Sequence, residues 1–349
     1  MNIADFDYPL PEELVAQVPA QPRDASRLLV LAPGGGLLHA AFQDLPGLLE
    51  PGDLLVFNDT RVIPARLVGR KQSGGRVELL LCEPLAGGLS PSWRAMGQAS
   101  KPIRPGSVLD FDGLSARVDA AEGEGFYQVT LDRQGEELLA ALARAGTVPL
   151  PPYIRRAATA LDAERYQTIW AREPGSAAAP TAGLHFTERL LGELDRRGVE
   201  RAAVTLHVGP GTFLPVRGDD LEHHRMHAER YRVPPAAAAA FAACRARRGR
   251  VVAVGTTTLR TLESALEGGA LKAGEGRTEL FVRPGHVFGA VDALLTNFHL
   301  PRSTLLVLAC AFGGTKRVLA AYREAVASRY RFFSYGDAML LLGPPGSKR

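Results

Sequence analysis

The stretch DLLVFNDTR, residues 53–61, passes from an almost unbroken apolar segment directly into four small polar or charged side chains. A short, continuous apolar run suits a strand buried on both faces, as in the parallel sheet of an α/β fold. Such a strand carries the polar residues at its carboxyl end to one edge of the sheet, where α/β folds build their sites. The same pattern recurs downstream. Residues 250–254 lead into Gly255, Thr256, Thr257 and Thr258, and residues 291–296 lead into Asn297, Phe298 and His299. Three strand ends of this kind predict one shared cleft. At the first of them, an Asn/Asp turn with Asp59 paired to Arg61 is the competing explanation.

Between the first and second of these strands the texture changes. From residue 65 to about 150, short pieces such as ARLVGR, GRVELLLCEP, SVLDF and GFYQVTL alternate with Gly, Pro and Asp turns. That is the pattern of a small antiparallel barrel, followed by a helix over 132–145 that Gly146 ends. The expected fold class is therefore α/β, a layered main domain with an inserted small antiparallel β-barrel domain. Its bounds are 1–64 and 151–349 for the main domain, the second part holding the expected active site, and 65–150 for the barrel. Before residue 53 the sequence predicts a helix over 11–17 and a hairpin of 27–31 with 37–40.

The chain has 349 residues, 46% hydrophobic and 22% charged, which suits an ordinary globular protein of more than one domain. Its longest apolar run, 305–312, is too short to span a bilayer, and residues 1–20 carry acidic but no basic side chains, unlike a secretory signal. Three separated cysteines predict neither a disulfide framework nor a four-cysteine zinc site. A cytoplasmic, membrane-free monomer is expected. The net charge of +4, with arginines grouped at 155–156, 196–201 and 245–250, permits a nucleic-acid partner. Each group could equally be a solvated face.

Polar chemistry is densest from 180 to 233. PTAGLHFT predicts a cap at Thr181 and a helix from His185. Residues 204–207 read as a strand, broken by Gly209, Pro210 and Gly211. His223, His224, His227 and Glu229 follow within seven residues, and a strand over 229–233 puts His227 and Glu229 on one face. Imidazoles and a carboxylate could bind zinc, but no HExxH pattern is present, and an organic-substrate site or a hydrogen-bonded cluster accounts for them as well. The Gly255–Thr258 turn opens a helix and should offer N–H groups and hydroxyls to an anion, with plain capping as the alternative. Residues 279–282 read as a strand. YRFFSY at 330–335 reads as a core strand, with base stacking the rarer explanation.

Taken together, FNDTRVIPARL at 57–67, PTAGLHFT at 180–187, HVGPGTFLPVR at 207–217, MHAERY at 226–231, AVGTTTLRTLES at 253–264, LLTNFHLPRSTL at 294–305 and YRFFSYGDAML at 330–340 resemble the S-adenosylmethionine:tRNA ribosyltransferase-isomerases of queuosine biosynthesis. The resemblance spans essentially the whole chain. It implies an α/β domain with an inserted barrel, and an enzyme that moves the ribosyl moiety of S-adenosylmethionine onto 7-aminomethyl-7-deazaguanine (preQ1) at the tRNA wobble position. Epoxyqueuosine-tRNA, adenine and methionine are the implied products. No permanently bound cofactor and no metal is implied; S-adenosylmethionine is a substrate and tRNA the partner. The chemistry needs a base for a C5′ hydrogen and an acid for adenine, for which His185, His207, His227 and His299 are suitable. Glu229, Asp59 or Glu279 could balance the sulfonium. Arg61, Thr181, Gly183, Gly209, Gly211, Thr256, Thr257, Thr258 and Asn297 are the expected S-adenosylmethionine contacts. A plain nucleic-acid binder and a conventional methyltransferase are the rival classes, and the latter would need a glycine-rich loop after its first strand.

Overall fold

The structure is a computed structural model that describes residues 1–209, 220–224 and 226–343. The chain opens with short 3-10 turns, one of them Glu12–Leu14 where a helix over 11–17 was expected: Pro11 precedes it and Val15 is already extended. Strands β1 (Arg27–Leu31) and β2 (Leu37–Ala41) form the expected hairpin. A one-turn helix α1 (Leu45–Leu48) then leads to β3 (Leu54–Asn58) and β4 (Thr60–Val62).

Next comes the barrel, built from β5 (Arg66–Lys71), β6 (Arg76–Pro84), β7 (Ser92–Ala99), β8 (Val108–Phe111), β9 (Leu114–Gly123) and β10 (Phe126–Leu131). Each strand is antiparallel to its neighbours, and pairing of Arg70 with Asp110 and Lys71 with Leu109 closes the ring. Alternate residues such as Leu67, Leu79, Trp93, Val118 and Val129 fill its interior, the period of two expected of strands with one buried face. Helix α2 (Gly135–Ala145) adds Leu138, Ala141 and Leu142 to that core, and β11 (Gly146–Thr147) pairs back onto β5.

The chain returns through α3 (Ala160–Arg165), β12 (Glu173–Ser176), α4 (Glu188–Arg196), β13 (Glu200–Leu206), β14 (Glu229–Val233), α5 (Pro235–Ala246), β15 (Val251–Val254) and α6 (Thr256–Ala265). A small hairpin, β16 (Leu266–Glu267) with β17 (Ala270–Leu271), precedes β18 (Gly274–Thr278), β19 (Ala293–Asn297), α7 (Thr304–Gly313), α8 (Thr315–Ala327) and β20 (Ala338–Leu342). The main sheet has the order β18-β14-β13-β3-β15-β19-β20-β1-β2, and its four central strands, β13, β3, β15 and β19, are parallel.

Continuous apolar runs serve this sheet because helices cover both faces. Leu54, Val56, Val251 and Ala253 point into one core with α5, α6, α7 and α8, while Leu55, Phe57, Val252 and Val254 point into the other with α4. Three further local expectations fail. The α4 helix is capped by Thr187, whose Oγ1 accepts from Leu190 N at 3.2 Å, and Thr181 instead starts a 3-10 turn. The strand near 279–282 lies earlier, at β18, because its register is set by β14. Residues 330–335, buried except for the half-buried Arg331, are not a strand: Phe333 has φ 71° and Gly336 N donates back to its carbonyl, a tight turn that delays the strand to β20. Among the described residues no single helix is long and apolar enough to cross a membrane.

Candidate functional site

Because β13, β3, β15 and β19 run parallel, their carboxyl ends share one edge, and a small cleft opens there. Residues 179–182, Val208, Gly255, Thr256 and Thr257, residues 296–300, and Phe333 and Ser334 line it. Two of the three strand ends that predicted a shared cleft thus meet in its wall. The third supports it from below: Asn58 Nδ2 donates to Leu206 O at 2.9 Å and to Thr257 Oγ1 at 3.3 Å, while Asn58 Oδ1 accepts from Leu206 N and Thr60 N. One buried carboxamide therefore ties together the ends of β3 and β13 and the start of α6.

The turn into α6 needs Gly255, whose φ of 91° is open to glycine but costly for other residues. Gly255 N donates to Leu295 O at 2.7 Å, pinning the turn to β19. No side chain of Gly255 caps α6, so the first-turn N–H groups sit at the cleft wall with the positive end of the helix dipole. Thr258 does not share this exposure; its hydroxyl turns back to the last carbonyl of β15, Val254 O, at 2.8 Å.

On β19, Asn297 is 2% exposed and donates from Nδ2 to Phe333 O at 3.1 Å and to His185 Nε2 at 3.2 Å. Its Oδ1 is buried with no partner. His185 lies behind this residue rather than in the cleft, stacked on Phe42 with centroids 4.8 Å apart. Burial, reinforced by the Arg331 and Arg23 guanidinium groups, pushes its imidazole down to about 3. His299 does line the cleft, its Nε2 2.8 Å from Thr296 Oγ1, and burial pushes it down to about 3 as well. Both rings are neutral through the physiological range.

Of the remaining expected site residues, Gly183, Arg61, Asp59 and Gly209 do not line this cleft. Gly183 packs where a Cβ would stand 2.7 Å from the Thr168 side chain and 2.8 Å from that of Trp170. Arg61 is exposed on β4 while its neighbours Thr60 and Val62 are buried. Asp59 is buried, accepts from Thr205 Oγ1 at 2.7 Å, and is pushed up by burial despite that bond. Gly209 N faces Glu229 Oε1 at 3.4 Å, and Gly211 lies outside the described residues.

The pairing of His227 with Glu229 on one strand face is not observed. β14 begins at Glu229, so His227 precedes it, exposed, with its ring 5.9 Å from Phe126 of the barrel. Glu229 turns inward to a buried ion pair with Arg260 Nη1 on α6. His207 bounds a second, wider cleft of about 710 Å³, between β13, β14 and β18 and the barrel loops at Gly87 and Gly88. There its Nδ1 is 2.9 Å from Thr60 Oγ1, and burial lowers its pKa, with Glu173 opposing and Arg232 and Arg230 adding.

Most arginines of the basic groups are already engaged. Arg156 forks onto Asp162 at 2.6 and 2.7 Å, Arg155 pairs with Glu12, Arg245 with Asp292, Arg247 with Glu200 and Arg250 with Asp53. The sequence reading missed Tyr153 and Ser334, whose hydroxyls meet at 2.6 Å in the cleft wall. It also missed Arg260. A signal was present, since Thr257, Arg260, Thr261 and Ser264 form one helical stripe of polar side chains on a helix otherwise committed to the core.

A family model described as queuosine biosynthesis protein matches residues 3–341. The chain is 77% identical over 341 residues to the S-adenosylmethionine:tRNA ribosyltransferase-isomerase of Anaeromyxobacter sp. (strain Fw109-5), covering 98% of this chain and 99% of that one. It is 53% identical over 344 residues to the protein of the same name from Geobacter sulfurreducens, covering 98% and 100%. Among solved structures, the S-adenosylmethionine tRNA ribosyltransferase of Thermotoga maritima is 39% identical with a TM-score of 0.57, over 97% of this chain and 100% of that one.

Proposed function

We propose, since the chain belongs to the queuosine biosynthesis family of S-adenosylmethionine:tRNA ribosyltransferase-isomerases, that it transfers and isomerises the ribosyl moiety of S-adenosylmethionine onto preQ1 at the tRNA wobble position. The products are epoxyqueuosine-tRNA, adenine and methionine. The observation that carries this reading is full-length similarity to relatives of that name, at up to 77% identity. What the structure adds is a cleft lined by Thr181, Thr256, Thr257, Asn297 and His299 at the sheet edge where α/β folds bind ligands.

In this reading Thr181, Thr256, Thr257 and Asn297 hold S-adenosylmethionine, and the start of α6 takes its carboxylate. His299, neutral on the cleft wall, is the histidine placed to exchange a proton with the donor. Residues 65–150 act as an inserted unit beside the catalytic one, and the enzyme works on tRNA in the cytoplasm as a monomer, with no bound cofactor or metal.

Incubation with S-adenosylmethionine and preQ1-bearing tRNA is expected to release adenine and methionine together. Appearance of S-adenosylhomocysteine instead identifies a methyltransferase, and no release from folded protein identifies a binder; either result overturns the proposal. Changing Thr257 to Val removes a hydroxyl at the mouth of α6 and is expected to weaken S-adenosylmethionine binding about tenfold while sparing tRNA affinity. Unchanged calorimetric affinity for S-adenosylmethionine excludes that contact.

A further inference from the structure

The bonding of Asn297 fixes which way its carboxamide points. The atom 3.1 Å from Phe333 O must be Nδ2, because a carbonyl oxygen only accepts. The second Nδ2 hydrogen goes to His185 Nε2 at 3.2 Å, which must then be the bare ring nitrogen. On the far side of that ring, Nδ1 is 2.7 Å from Ser26 Oγ, whose own hydrogen is directed to Arg23 O. The chain of donors therefore runs one way, from His185 Nδ1–H to Ser26 and from Asn297 to His185. Both Nδ2 hydrogens of Asn297 are thus spent on partners within the protein, and Oδ1 is left as a buried acceptor with no partner. A bare buried acceptor is unfavourable because it has lost its hydrogen bond to water, and such groups are rare unless something completes them.

Beside this acceptor is a set of donors. β15 and β19 are neighbouring parallel strands with Val254 opposite Leu295, so the start of α6 stands one strand spacing, about 4.8 Å, from the end of β19. An α-amino acid bears its ammonium and carboxylate on one carbon, and needs an acceptor and a donor set at about this separation. We infer that Asn297 Oδ1 accepts the α-ammonium of the methionine end of S-adenosylmethionine, beside the carboxylate held by the first turn of α6, and that His185 is a positioning residue that fixes the carboxamide for this task. The inference rests on the proposed function, because it takes S-adenosylmethionine as the ligand of the cleft. An adenine edge also pairs one donor with one acceptor, but it carries no net charge and gains nothing from the positive end of α6.

Binding of three probes by calorimetry tests this: S-adenosylmethionine, its analogue with hydrogen in place of the ammonium, and its decarboxylated form. The unaltered protein is expected to bind the deaminated analogue about ten- to a hundredfold more weakly than S-adenosylmethionine. Asn297→Ala is expected to impose a similar loss on S-adenosylmethionine and on the decarboxylated form, and none on the deaminated analogue. His185→Leu should erase the preference for the ammonium, whereas His185→Gln, which keeps one donor and one acceptor, should restore it; a merely structural role for His185 would lower all three affinities alike. Equal binding of S-adenosylmethionine and the deaminated analogue by the unaltered protein overturns the inference even if no variant folds, and leaves the proposed function standing. An equal Asn297→Ala loss on all three probes also overturns it. No binding of S-adenosylmethionine to the folded, unaltered protein removes the proposed function and the inference with it.

Discussion

Lowering the pH from 6.5 to 5 is expected to cost the fold roughly 3 kcal/mol through His185 and His299 alone. Both imidazoles are buried and pushed down to about 3, whereas in the unfolded chain each titrates near its ordinary value of about 6.5. Between those values the unfolded state binds more protons than the folded one, so stability falls as pH falls, beginning at about 6.5 and continuing to about 3. Each ring contributes about 1.4 kcal/mol per pH unit across that window. The groups around them cannot relieve this. Arg331 and Arg23 repel a charged His185, and His299 is held between Thr296, at its ring, and Tyr8 and Tyr322, at its backbone. Urea unfolding at pH 7.0, 6.0 and 5.0 checks it, with His299→Gln lowering the slope by one ring's share. A flat stability from pH 7 to 5 in the unaltered protein contradicts the burial of two neutral histidines.

Arg260→Ala is expected to destabilise the protein by about 3–5 kcal/mol, because it leaves Glu229 as an uncompensated buried charge. Arg260 is 4% exposed and Glu229 7%, and Arg260 also donates from Nε to Leu280 O at 3.0 Å. The pair locks α6 to β14, the antiparallel partner of β13, and so steadies the helix whose start forms the cleft wall. Replacing both residues by Leu should cost much less than the two single changes added together, since no charge is then stranded. Additive losses in urea unfolding would mean that the two side chains do not act as a pair.

The contrast between residues 250–258 and 226–231 shows what the sequence could and could not disclose. The runs at β3, β15 and β19 are apolar throughout because both faces of each strand are covered, so strand, buried sheet and polar end all follow from local pattern. The barrel is legible for the same reason, through its period of two. At β14 local pattern is insufficient: where the strand starts is decided by β13 and β18, which are distant in sequence, and a start at Glu229 turns the carboxylate inward to Arg260 and leaves His227 outside. The cap at Thr187 was obscured by Thr181, six residues earlier, which follows Pro180 and mimics a helix start. Residues 330–335 are as apolar as a strand, but the turn at Phe333 depends on Asn297 and Asp337, through bonds to Phe333 O and from Arg331 N.

The most direct measurement follows the ribosyl group itself. S-adenosylmethionine carrying a heavy-isotope label in its ribose carbons is incubated with the protein and preQ1-bearing tRNA, and the tRNA is digested to nucleosides for mass analysis. The predicted result is a wobble nucleoside that has gained the labelled ribose carbons as an epoxycyclopentane group, in step with unlabelled adenine in solution. Label confined to small molecules in solution, with the preQ1 nucleoside unchanged, would contradict the account.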